Sequence, residues 1–174
     1  MRNIILMIAI WFIAFSVPLL AAETEIKIKG EVNPALTSVI FHNPKKVPPQ
    51  TFENDHYAIN RCFKILSGYL TYVDSGEGLF EGYELNKYSP SELKGKNLVL
   101  INEIVRNKAG IRLSITRKEV ERIINKKLPN PETRFLYESV KIIKGISYDV
   151  VTTVTIGFEN DELVKFIVIT TTTS

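Results

Sequence analysis

The chain is poorest in the residues that do chemistry. Its 174 residues include one cysteine and two histidines. One cysteine cannot form an internal disulfide; it leaves a buried thiol or one free to pair with another chain. Cys62 stands between Arg61 and Phe63 at the head of an apolar run, so it reads as a small buried hydrophobe. His42 and His56 both fall in a proline-rich N-terminal region. Together with Cys62 and a carboxylate such as Asp55, their spacing matches no compact ligand pattern. Surface histidines are the preferred reading, and a Cys62–His56 nucleophile–base pair is the chemical alternative. No G-x-S-x-G, H-E-x-x-H or phosphate-binding loop occurs. The sequence therefore predicts no catalytic residue, no cofactor and no dedicated metal site.

A large excess of either charge sign is also missing. The formal net charge is +3, and the basic residues are scattered. Nucleic-acid binding needs clustered lysine and arginine, so that class is set aside. Long hydrophobic runs are missing as well, with one exception. Residues 1–22, MRNIILMIAIWFIAFSVPLLAA, begin with Arg2, stay uncharged through Phe15 and break at Pro18. Ala21 and Ala22 offer small residues for a peptidase, which is the grammar of a secretory signal. Leu20 occupies a place where a smaller residue is preferred. The rival is an uncleaved membrane anchor, because residues 4–22 come close to the roughly 20 apolar residues a span needs. No cysteine follows Ala22, so no lipid anchor is expected. The reading is a processed chain starting near Glu23, periplasmic or secreted, with the N-terminal anchor as alternative.

What remains, about 150 residues, is enough for one domain with its own core. Residues 23–60 read as an extended, proline-rich segment. Within it residues 25–29 alternate as a short edge strand, residues 35–41 suit another strand, and residues 44–49 form an irregular proline loop. Residues 61–174 read as an α+β globular domain. Residues 61–73 are one long β-type run, and 79–85 return as its partner across a glycine-bearing turn at 74–78. Ser89-Pro90-Ser91-Glu92 has the pattern of a helix start ended by Gly95. Residues 98–105 read as a buried strand or a short buried helix.

The strongest local signal is Thr116-Arg117-Lys118-Glu119, a capping box. Ile115 and Val120 suit a hydrophobic staple, and Val120, Ile123 and Ile124 repeat at helical spacing. Asn125 can take the left-handed end position, and Pro129 and Pro131 prevent continuation. This predicts a capped helix over about 117–125. Three strands follow, over about 134–140, 148–158 and 163–170, with a turn at 159–162. The expected fold class is α+β: an antiparallel sheet, one short capped helix and a C-terminal β-meander.

Residues 108–169 resemble the small extracytoplasmic α+β modules of bacterial outer-membrane assembly lipoproteins and the β-lactamase inhibitor protein. The likeness rests on Gly110-Ile111-Arg112-Leu113, Thr116-Arg117-Lys118-Glu119-Val120, Ile123-Ile124-Asn125-Lys126, the Leu128-Pro129 exit and Phe158-Glu159-Asn160-Asp161-Glu162-Leu163. Ser114-Ile115 replaces the usual Gly-Met, and Asn125-Lys126-Lys127 replaces a glycine exit. The resemblance implies protein–protein work and a bacterial envelope setting, and it transfers no individual binding residue.

Two clusters remain as sites. Asp74, Glu77 and Glu81 around the acidic turn can bind calcium weakly, since hard cations want clustered oxygens; an ordinary hairpin turn is the competing reading. Tyr69, Tyr72, Phe80 and Tyr83 offer a possible interface, with core packing as the other use of strand aromatics. The expected function is a non-enzymatic binding module whose partner is another envelope or secreted protein. A small extracytoplasmic enzyme and an enzyme inhibitor are the alternatives.

Overall fold

The computed structural model describes residues 24–53, 59–75 and 80–173. The N-terminal signal-like segment, Asp55, His56 and Glu77 lie outside the described residues. One mixed sheet of nine strands organises the chain. Its strands are β1 (Thr24–Lys29), β3 (Gln50–Glu53), β4 (Ile59–Ile65), β5 (Gly68–Asp74), β6 (Phe80–Asn86), β7 (Leu100–Ile101), β9 (Glu132–Ile143), β10 (Ile146–Glu159) and β11 (Glu162–Thr173). The order is β1-β9-β10-β11-β6-β5-β4-β3, and β7 also pairs with β4. A separate two-stranded ribbon joins β2 (Val39–Ile40) to β8 (Arg106–Asn107). The helices are α1 (Pro34–Thr37) and α2 (Arg117–Ile124), with a 3-10 turn at Ser91–Leu93.

The expectation of an antiparallel sheet holds for most pairs but not for all. β1 runs parallel to β9, and β7 runs parallel to β4. The reason is connectivity: neither pair is joined by a hairpin, so nothing forces reversal. The edge strand expected at residues 25–29 forms as β1, and the proline-rich segment also supplies the other outer strand of the sheet order, β3. Residues 44–49 do form an irregular loop, closed by Asn43, whose side chain bonds the Val47 N–H and C=O at 3.0 and 2.8 Å.

Other local departures have physical causes. Residues 61–73 do not form one strand; they split at Leu66–Ser67 into β4 and β5. Gly68 permits this, since a Cβ there would lie 2.4 Å from the Asn86 carbonyl oxygen and 2.9 Å from Leu113. Residues 34–37 form a helical turn, started by Pro34 and capped by Asn33, whose side chain accepts from Ala35 N–H at 2.9 Å. Ser89 provides no side-chain cap, and only the 3-10 turn forms there. Residues 98–105 are not a buried element: Val99, Leu100 and Ile104 are exposed, while Ile101 and Val105 are buried.

Helix α2 and the meander follow the sequence reading closely. The Thr116 N–H donates to the Glu119 carboxylate at 2.9 Å, and the Glu119 N–H donates to the Thr116 hydroxyl at 3.3 Å. Asn125 ends the helix in the left-handed conformation. Two-residue turns at Lys144-Gly145 and Asn160-Asp161, all at positive φ, close the β9–β10 and β10–β11 hairpins. Arg117 ties the helix to the second turn. Its guanidinium lies 3.4 Å from Asp161 and 4.8 Å from the Phe158 ring centre, and it donates to the Leu128 and Asn130 carbonyls.

The register arranges the covered sheet face in rows. One row reads Phe63, Leu70, Leu85, Phe166, Ile156 and Thr133. The next reads Arg61, Tyr72, Tyr83, Val168, Val154, Phe135 and Ile26. The third reads Ile59, Asp74, Glu81, Thr170, Thr152, Tyr137 and Ile28. The core fills the first two rows and continues into Leu36, Val105, Ile111, Leu113, Ile115, Val120 and Leu128 from the covering segments.

Candidate functional site

The third row carries the candidate site. Where the apolar rows give way to Asp74, Glu81, Thr170 and Thr152, the cover from α1 and β2 leaves a groove of about 410 Å³. Val32, Thr37 and Val39 form one wall. The sheet supplies the floor and the other wall. Thr152 and Thr170 face each other across β10 and β11, with their hydroxyls 3.1 Å apart. Tyr83 closes the inner end. It is buried, and its hydroxyl donates to the Leu36 carbonyl at 2.5 Å, which locks α1 onto the sheet.

Charge is concentrated at the mouth. Asp74 and Glu81 are direct cross-strand partners, so two carboxylates share one edge of the groove. Like charges so placed repel. The Arg61 guanidinium, half-exposed on β4, lies 3.9 Å from Asp74 and offsets this. Tyr72 lies opposite both Arg61 and Tyr83. Burial raises the Tyr72 phenol above its ordinary value of 10.0. It therefore stays protonated at neutral pH and keeps an O–H to donate. The groove thus offers a guanidinium, two carboxylates, three threonine hydroxyls and a phenol over an apolar floor. That set suits recognition of a polar or charged side chain by hydrogen bonds.

The residues named from sequence are distributed unevenly. Asp74 and Glu81 meet at the mouth, and Glu77 lies outside the described residues. Among the described residues no group of three or more carboxylate, histidine or cysteine side chains gathers for a metal. The four aromatics do not share a face. Tyr72 and Tyr83 point into the covered side, whereas Tyr69 and Phe80, at the opposite parity, point away. Tyr83 is a core residue with 2 % exposure, which withdraws it from any exposed interface. Arg61, Thr152 and Thr170 were missed because no linear pattern joins β4, β10 and β11; the cross-sheet register does.

Cys62 and His42 take no part. Cys62 is fully buried on the opposite sheet face beside Thr71. Burial, above all, raises its thiol, so it remains a thiol at neutral pH. His42 is exposed and lies 3.9 Å from Glu103. On the same far face Glu84 is held above the usual carboxylate range, chiefly by burial, with Lys165 opposing and Glu92 reinforcing the shift.

Comparison with models of known protein families, with curated proteins and with solved structures finds no match to this chain.

Proposed function

We propose that the chain is a non-enzymatic binding module of the cell envelope or the secreted space. It holds a partner protein through the groove lined by Arg61, Tyr72, Asp74 and Glu81. The observation that carries this is the third row of the covered face, where the sheet exchanges core residues for charged and hydroxyl side chains that line a groove. Cys62 is a buried, protonated thiol on the sheet face opposite the groove, and His56, the base paired with it from sequence, lies outside the described residues. The signal-like residues 1–22 and the likeness of residues 108–169 to envelope assembly modules support the setting. Among the described residues no helix is long and apolar enough to cross a membrane.

Affinity capture from envelope and secreted fractions tests this reading, with the wild-type chain and the Arg61→Glu and Tyr72→Ala variants as baits. The expected result is a discrete protein retained by the wild type and lost from both variants. Equal retention by all three baits, or none by any, contradicts it.

A further inference from the structure

The strand order begins at β1, and among the described residues β1 has a neighbour on one side only, β9. Its start is fixed by Asn130, whose side-chain amide donates to the Thr24 hydroxyl. Just past its end, the Gly30 N–H donates to the Glu138 carbonyl at 2.8 Å. In a parallel ladder alternate residues of a strand bond to the same neighbour. The even-numbered peptide groups of β1 therefore face β9, and those of Glu25, Lys27 and Lys29 face outward. These three side chains are exposed and lie on the sheet face opposite the core.

Exposed edges are commonly blunted by charge, lysine above all. Here the charges have an order: Glu25 precedes Lys27 and Lys29. A sequence ordered acid-then-base becomes complementary to itself when one copy is reversed. We propose that β1 pairs antiparallel with β1 of a second copy of the chain, about a two-fold axis at Ile26, joining two sheets into one. In that register Glu25 stands opposite Lys27 of the second copy, and Lys27 opposite its Glu25. Ile26 meets Ile26, and Thr24 meets Ile28, on the covered side of both sheets.

The backbone alone allows neighbouring registers, because every shift by two keeps outward groups opposite outward groups. A shift one way sets Lys27 against Lys27; a shift the other way sets Glu25 against Glu25. Like charges directly opposite are unfavourable. A shift by one turns side chains to the wrong face. Charge therefore selects the register centred on Ile26. A pairing of six-residue strands is small, in the range below about 1,200 Å² where association is weak and transient.

Sedimentation of the full chain, as the expression host processes it, tests the proposal over about 1 to 100 µM, the range expected for a small interface. A concentration-dependent dimer is expected. Lys27→Glu should weaken it at least about tenfold, since Glu25 then faces an acid, and the Glu25→Lys/Lys27→Glu double variant should restore it. Ile142→Asp, in the exposed apolar tip of β9, should leave it unchanged. A monomer throughout the range, a dimer indifferent to Lys27→Glu, a double variant that stays dissociated, or a dimer dissolved by Ile142→Asp would each overturn the proposal. Groove binding measured with Arg61→Glu is read separately, so either idea can fail alone.

Discussion

Along β11, Phe166 and Thr170 sit four residues apart on the same sheet face, and their cross-strand neighbours share their character. Around Phe166 lie Leu85, Leu70 and Ile156; around Thr170 lie Glu81, Asp74 and Thr152. The first end is sealed by the segment leading into α2, whose Ser114 and Ile115 exchange backbone hydrogen bonds with Leu163 at 2.9 Å. The second end is left as the groove. One strand set thus builds a closed core at one end and a polar groove at the other, and side-chain type and covering segment change together. The closed end should carry the stability, and the open end should tolerate change.

The largest effect expected is at the closed end. Phe166→Ala should cost about 3–5 kcal/mol of unfolding free energy, the usual range for a fully buried phenylalanine. Thr170→Val, at the groove, should stay within about 1 kcal/mol. Equal losses in denaturant titrations would erase the comparison. Thr116→Ala removes the cap that seats α2 and should cost about 1 kcal/mol.

The pH dependence sharpens the contrast with the opposite face. The Thr116 backbone N–H, helped by its hydroxyl, holds the Glu119 carboxyl below its ordinary 4.5. A lowered carboxylate contributes stability above its unfolded value and loses it as pH falls through the folded value. Acid below about 4.5 should therefore loosen the α2 cap. Glu84 runs the other way. Burial raises it, so its folded form is most stable below 4.5 and loses stability as pH rises through the raised value. Glu84→Gln should raise the thermal midpoint at pH 7, with the gain shrinking toward pH 4. A gain that grows in acid would reverse the assignment.

Much of this architecture could be read from the chain. The α2 helix was legible because its cap, staple and Asn125 exit are all local. The meander was legible because Val150, Thr152, Val154, Ile156 and Phe158 share one parity along β10 and residues 159–162 read as a turn. The break at Leu66–Ser67 was not. Residues 61–73 have continuous strand character, and the need for Gly68 comes from Asn86 and Leu113, far along the chain. The parallel β1–β9 pair was hidden for the same reason. At the site, Tyr72, Asp74 and Glu81 were named, but as members of two unrelated clusters. The row that unites them with Arg61 and the two threonines exists only once the register is known.

The smallest stability change belongs to the groove mouth. Arg61→Glu, at a half-exposed position, should shift unfolding by no more than about 0.5 kcal/mol. A loss of several times that size would make Arg61 a structural residue and weaken the division between the two ends.

The most direct test uses two tyrosines of β5, three residues apart, that face opposite sides. A photo-reactive side chain is placed at Tyr72 in one chain and at Tyr69 in another, and both are irradiated in the producing cells. A discrete protein adduct at position 72, with none at 69, is the expected result. An adduct at 69 alone, or none at 72, would contradict the assignment of the groove.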